Sequence, residues 1–375
     1  MKWCAWLAVR PLALLLVLTH FIASHPALAS CQFRTAIPFT AGTRPTAVTV
    51  ADFNGDGKLD WAVTVRSSPT ILIFAGAGNG TFAPPVFVPT TNPGQPLTHG
   101  DFNGDGKADL AVSDWTRNAI AILLGRGDGT FSSAETYSTG VTPNSIVVAD
   151  LDRDGISDLA VGNVNGDNVS VLIGNGNGTF KPAVNFATGR NPQRIVLGDF
   201  DRNGTFDVAA INRGDGSVSI LMGNGAGAFS PAVSYAVTQA NSAYALTVSD
   251  FNRDGISDLA ISLQSQVSIL LGRVDGTFES GVRYPSGNFS SSIVAADFNR
   301  DGKPDVAVDG NDVSLLLGNG DGTFAPAVHL GRGSSFFATA DMDANGQVDL
   351  AGVDEFANQV WLMLSGCARH AAVRH

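Results

Sequence analysis

Seven nine-residue segments carry Asp or Asn at their first, third, fifth and ninth positions and Gly at their sixth. The sets are Asp52, Asn54, Asp56 and Asp60; Asp101, Asn103, Asp105 and Asp109; Asp150, Asp152, Asp154 and Asp158; Asp199, Asp201, Asn203 and Asp207; Asp250, Asn252, Asp254 and Asp258; Asp297, Asn299, Asp301 and Asp305; and Asp341, Asp343, Asn345 and Asp349. Oxygen donors on alternate residues suit a hard cation such as Ca2+, which takes six to eight oxygens. Position 7 shares no side chain (Lys58, Lys107, Ile156, Thr205, Ile256, Lys303, Gln347), so its backbone carbonyl is assigned as a ligand. The glycine at position 6 lets the chain wrap an ion at positive φ. The loops are not EF-hands, because position 12 is Val63, Val112, Val161, Ala210, Ile261, Val308 or Gly352 rather than Glu. Position 9 is therefore assigned the bidentate role. A metal-free Asx/Gly turn is the alternative for one such loop; seven copies of one donor ladder weigh against it. Up to seven structural Ca2+ are expected, the tightest in the third loop, which has four carboxylates.

The loops start 49, 49, 49, 51, 47 and 44 residues apart, and such a period signals a repeat architecture. A short strand precedes each loop and ends in a small residue (Ala51, Gly100, Ala149, Gly198, Ser249, Ala296, Ala340). A second strand follows, then a V/I-rich third, a Gly-rich turn ending in Phe, and a fourth strand. Four strands in seven units predict an all-β, seven-bladed β-propeller of antiparallel blades; an open β-solenoid is the alternative. The small residues would crowd the axis. The turn phenylalanines (Phe82, Phe131, Phe180, Phe229, Phe278, Phe324) would fill the spaces between blades.

The ends complete the ring. Residues 1–29 read as a secretory signal, with Lys2 and Arg10, an apolar run over residues 12–18, and Ala27-Leu28-Ala29 as the cleavage site. The propeller is assigned to residues 30–367 and a tail to 368–375. The seventh unit lacks a turn and a fourth strand, whereas residues 33–42 match the stretch that begins at Phe180. The N-terminal segment is therefore expected to supply the outer strand of the last blade. That would bring Cys31 and Cys367 side by side as a disulfide. The rival reading is a lipobox at Leu28-Ala29-Ser30-Cys31, which would acylate Cys31 and anchor the protein to lipid.

No segment after the leader is long enough to span a bilayer as a helix. Past residue 29 there are 21 basic and 34 acidic residues, a net charge of −13 that argues against nucleic acid. A secreted monomer is expected.

The pairing of D-x-N/D-x-D-G-x-x-D loops with turns such as G-N-G-N-G-T-F at residues 174–180 resembles FG-GAP/VCBS repeats. The resemblance covers residues 30–367 and extends to integrin α-subunit propellers and calcium-containing lectin propellers. It implies Ca2+ in the loops between first and second strands, and ligands on the opposite face, through loops joining strands 2–3 and 4–1. On this chain that face maps to Arg66, His99, Trp115, Arg117, Asn191, Tyr244, Phe289, Phe336, Phe337 and Phe356, with Trp115, Arg117, Tyr244 and Phe337 as the main candidates. Trp115 is the best sugar-stacking residue among them; the bland alternative is a partly buried loop aromatic. Two R-G-D triplets, at residues 126–128 and 213–215, are read as repeat drift.

The expected function is binding or adhesion to an extracellular carbohydrate or protein. No nucleophile elbow or H-E-x-x-H motif occurs, and the mature chain has four His (His99, His329, His370, His375). An enzyme is therefore not expected. A lyase-like polysaccharide enzyme on the same scaffold is the alternative.

Overall fold

The computed structural model describes residues 31–66, 68–90, 96–239, 241–287, 291–333 and 336–367. Seven four-stranded antiparallel sheets form seven blades, and the described residues contain no helix. The first blade comprises Pro45–Ala51, Asp60–Val65, Thr70–Phe74 and Val86–Pro89, from the axis outward. The seventh comprises Phe336–Ala340, Asp349–Asp354 and Gln359–Met363, and its outer strand is Ile37–Thr40 from the other end of the chain. The expected closure is present, with Ile37 opposite Leu362 and Thr40 opposite Gln359. Pairing the two ends covers the third strand of the seventh blade and leaves only a short outer edge, as in the other blades. A two-stranded ribbon adds to it, pairing Cys31–Phe33 with Ser365–Cys367 so that Cys31 stands directly opposite Cys367.

Burial follows position in the blade. In all but the last, the second strand is buried at every residue, because neighbouring blades cover both of its faces. These strands accordingly read as unbroken apolar runs such as Leu159-Ala160-Val161 rather than alternating ones. The outer strands are largely exposed, apart from a part-buried third residue in most of them.

That third residue completes an aromatic wedge between blades. Phe102 of the second acidic loop and Tyr137 of the same blade both meet the turn residue Phe180 of the next blade edge-on, at 5.6 and 5.3 Å. Phe200 and Tyr235 hold Phe278 in the same way, and Phe251 and Tyr284 hold Phe324. Each such pair adds about 0.5–1.5 kcal/mol beyond its buried area. The seventh turn residue is Phe33, whose ring lies 5.8 Å from Phe298. Trp61, Phe39 and Phe82 fill the last junction, where the Trp61 indole N–H points at Met342 Sδ, 3.3 Å away.

Candidate metal loops and axial funnel

The acidic loops are built by their own backbone. In all seven, the N–H of the position-6 glycine donates to the first aspartate, at 2.6–2.9 Å. Those glycines have φ of 77–85°, as expected for a chain folding around a centre. Position 4 is also left-handed in every loop: Gly55, Gly104, Arg153, Arg202, Arg253, Arg300 and Ala344 have φ of 55–75°. The sequence gives little sign of this, since five of the seven residues are not glycine. Arg153 and Arg300 reach across to the carbonyls of Gly204 and Gly346 in the following loops.

Position 9 anchors the backbone of its own blade. Asp60, Asp109, Asp158, Asp207, Asp258, Asp305 and Asp349 are fully buried. In each, one oxygen accepts the N–H of loop position 2 and the other the N–H that opens the following turn or, in the seventh blade, that of Ser365 at the start of the terminal ribbon, at 2.7–3.0 Å. The bidentate role assigned from sequence must share these oxygens with two backbone donors, leaving each only its second lone pair for an ion. Burial raises the pKa of Asp207 and Asp258 to about 6 and of Asp305 to about 7, outweighing those hydrogen bonds.

Three loops bring carboxylate oxygens of positions 1, 3 and 9 within 4.8 Å of one another: Asp150, Asp152 and Asp158; Asp199, Asp201 and Asp207; Asp341, Asp343 and Asp349. Asp152 Oδ1 and Asp343 Oδ1, both at position 3, are buried without a hydrogen-bond partner. A buried anionic oxygen left unpaired is costly, and a cation in the loop would satisfy it. The donor set is all oxygen, so these residues fit a hard ion.

The opposite face carries a funnel on the axis, with a cavity of about 320 Å³. Every blade contributes: Thr46, Pro96, Asn144, Gln193, Tyr244 and Ser291 from the inner strands or their approaches, and Glu355 from the seventh blade. Thr46, Asn144, Gln193 and Tyr244 each sit where the pairing of inner and second strands slips by one residue. Such bulges re-aim a side chain without breaking the sheet. The rim adds Arg66, Trp115 and Arg213. Trp115 is 37% exposed, and the Arg213 guanidinium lies over the Tyr244 ring, 5.0 Å from its centre.

Arg194 closes the bottom of the funnel. Its counterparts in the paired register are Ala47, Ser145 and Ala245 in the first, third and fifth blades and Phe336 in the seventh, so it is the one charged residue among them. Burial lowers its pKa to about 10, and the nearby Asp309 opposes that shift. Asp309 is pushed up to about 7 by its own burial while accepting bonds from Ser291 and Ser292. Sequence reasoning missed Arg194 and Asp309. Aligning the repeats by strand register would have flagged the arginine.

Of the ligand-face candidates, Arg66, Trp115 and Tyr244 converge in the funnel. Arg117 does not line it; its guanidinium pairs with buried Asp114 at 2.7 Å. His99 belongs to the other end of its strand, bonded to Thr49 Oγ1 at 2.8 Å and edge-on to Phe53. Phe337 packs edge-on against Trp361 and lines a narrower channel below the funnel. Asn191 lines a separate cleft with Asp167 and Arg190, and Phe356 is 90% exposed. Phe289 and the Phe336 side chain lie outside the described residues. The first R-G-D triplet is a Gly turn in which Asp128 caps Thr130. The second lies in a different loop, where Arg213 lines the funnel and Asp215 accepts from the Arg190 N–H and the Ser217 hydroxyl.

A closed ring of seven four-stranded blades, with oxygen-rich loops on one face and a funnel on the other, defines a seven-bladed β-propeller. The FG-GAP-like repeat family matches residues 52–112, 101–161, 153–210, 199–261 and 258–308, more than half of the chain, and the chain belongs to that family. Among curated proteins none matches it. Similar solved structures include an Agrocybe aegerita lectin that recognises non-reducing terminal N-acetylglucosamine (18% identity, 84% of this chain and 86% of that one, TM-score 0.58). BBS1N, solved in complex with ARL6DN, is 14% identical over 92% of this chain and 99% of that one, with a TM-score of 0.64. Virginiamycin B lyase from Staphylococcus aureus is 13% identical over 89% and 100%, with a TM-score of 0.60. These likenesses establish the fold.

Proposed function

We propose that this chain is a secreted, calcium-stabilised binding module that presents its axial funnel to an extracellular carbohydrate or protein. The carrying observation is the funnel itself, a concave site to which all seven blades contribute, with aromatic faces beside convergent polar groups. In this reading the acidic loops hold Ca2+ through the side chains of positions 1, 3, 5 and 9, and the ions stiffen each blade on the far face. The lectin propeller supports carbohydrate as the ligand class by analogy of fold. A glycan and cell-surface binding screen of the mature protein, with and without EDTA, tests the proposal. Binding abolished by Trp115→Ala is expected, and no binding in either condition would overturn it.

A second reading rests on Arg213 over Tyr244. A guanidinium that neutralises a uronate carboxylate, beside Tyr244 as its phenolate, would serve β-elimination: the phenolate takes the C5 proton, a C4=C5 double bond forms as the C4–O bond breaks with its electron pair on oxygen, and the resulting phenol returns the proton to that oxygen. Release of unsaturated sugar from a polyuronate would favour this enzyme; its absence alongside binding favours the module.

A further inference from the structure

The geometry points to an acidic saccharide, a sugar ring bearing a carboxylate, as the ligand class of the funnel; this rests on the binding reading above. The molecule as a whole is acidic, with a formal net charge of −11, yet Arg66, Arg194 and Arg213 converge on one cavity. The carboxylate at its edge is already committed. Glu355 accepts from Arg44 Nε at 2.8 Å and from a second Arg44 nitrogen, while Arg66 stands farther off, at 3.7 Å. Behind Arg194 stands a second carboxylate, Asp309, which accepts from Ser291 and Ser292. Three arginines against these two carboxylates leave the cavity an excess of positive charge in an acidic molecule, and a concave site with such an excess focuses its field on an oppositely charged ligand.

One donor in the well is unsatisfied. Arg213 Nε is buried and has no hydrogen-bond partner. A buried guanidinium nitrogen without an acceptor is unfavourable. A carboxylate entering the cavity beside the guanidinium, which itself lies over the Tyr244 ring, would meet arginine's paired donors.

The other groups select the body that carries the anion. Trp115, 37% exposed, and Tyr244 line the cavity with aromatic surface suited to the C–H groups of a sugar ring. Asn144 and Gln193, whose amide nitrogens donate to the Gln193 carbonyl and to Asn191 Oδ1, add amide oxygens suited to hydroxyls. A bare inorganic anion would leave the aromatic faces unused, and a neutral sugar would leave the arginines unmatched. A sulfated sugar shares the anion chemistry and is separated from a uronate by the test.

The experiment is calorimetric titration of the calcium-loaded mature protein with trigalacturonate, a sulfated neutral trisaccharide and maltotriose. Trigalacturonate is expected to bind at least 10-fold more tightly than maltotriose. Arg213→Met and Arg66→Met should each weaken it at least 10-fold with the melting temperature unchanged, and Trp115→Ala should weaken all saccharides alike. Preference for the sulfated probe, equal affinity for maltotriose, or no effect of either arginine substitution would overturn the carboxylate assignment and leave the binding module standing. If no saccharide binds and the screen above also finds no ligand, both readings fall together.

Discussion

The ring of Phe33 stands edge-on to that of Phe298, with centroids 5.8 Å apart and planes at 60°. It occupies the place that a turn phenylalanine holds at the other blade junctions, so the start of the folded chain supplies the wedge between the sixth and seventh blades. Phe298 is 1% exposed, and its removal would open a cavity at the closure. Phe298→Ala should cost about 3–5 kcal/mol, Phe33→Ala somewhat less. The double variant should be less harmful than the sum by about 0.5–1.5 kcal/mol, the coupling of one aromatic pair. Denaturant melts of the four proteins measure this, and strict additivity would refute the contact.

Cys31 and Cys367 are backbone register partners in the terminal ribbon. A bridge there is expected, and because it encloses nearly the whole ring its loss should lower stability by roughly 5 kcal/mol in the chain-entropy model. Intact mass of the mature protein before and after reduction checks it. A gain of two protons on reduction supports the bridge; a diacylglyceryl mass on Cys31 with Cys367 free supports the lipid anchor.

Two aspartates of the third loop should behave differently. Asp152 has a buried oxygen without a partner, whereas both oxygens of Asp158 hold backbone N–H groups. In EDTA, Asp152→Ala should leave stability unchanged or raise it by up to about 1–3 kcal/mol, because it removes a buried oxygen that has no partner without an ion. Asp158→Ala should cost about 2–5 kcal/mol in the same buffer, since two donors are orphaned. In calcium, both should lose one bound ion by elemental analysis. With a Kd of ~0.1 mM and ~2 mM free ion, each occupied site should add about 1.8 kcal/mol.

Acidity should act in opposite directions with and without calcium. Asp207 and Asp258 at about 6 and Asp305 at about 7 lie above the ordinary aspartate value of 3.8, with burial the main cause. Between those values the folded state binds more protons than the unfolded one, so ion-free stability falls as pH rises from about 4 to 7. Calcium needs the ionised carboxylates, so its affinity should fall as pH drops through the same window. Melting in EDTA should therefore be higher at pH 5.5 than at pH 8, and in excess calcium the order should reverse. A rise with pH in EDTA would contradict these shifts.

Gly352 makes room for Trp361. A Cβ on that residue would come within 2.3 Å of the fully buried indole, on strands paired directly at those two positions. Gly352→Ala should cost at least the 1–3 kcal/mol typical of overpacking. Adding Trp361→Phe should recover part of that loss, as thermal melts of the single and double variants would show.

Local and periodic features were legible in the chain itself. The oxygen ladder from Asp52 to Asp349, the positive-φ glycines and the count of seven depend on spacing along the sequence. The closure was legible too, because residues 33–42 repeat the pattern found after Phe180. What pattern could not give was anything set by register between distant segments. Position 9 was assigned as a ligand, but only folding brought the N–H of Gly76 onto Asp60, a bond between two loops. His99 shares a strand with the funnel's approach yet lies at its other end, and Arg117 is drawn aside by Asp114. The funnel was the least legible part. Its residues run from Thr46 to Glu355, several at bulges that leave no local signature, and only closure of the ring turns them toward one axis. Sequence determined the blades and their acidic loops because those are short-range; the tertiary ring decided the funnel, because it gathers one to three residues from each of seven separate blades.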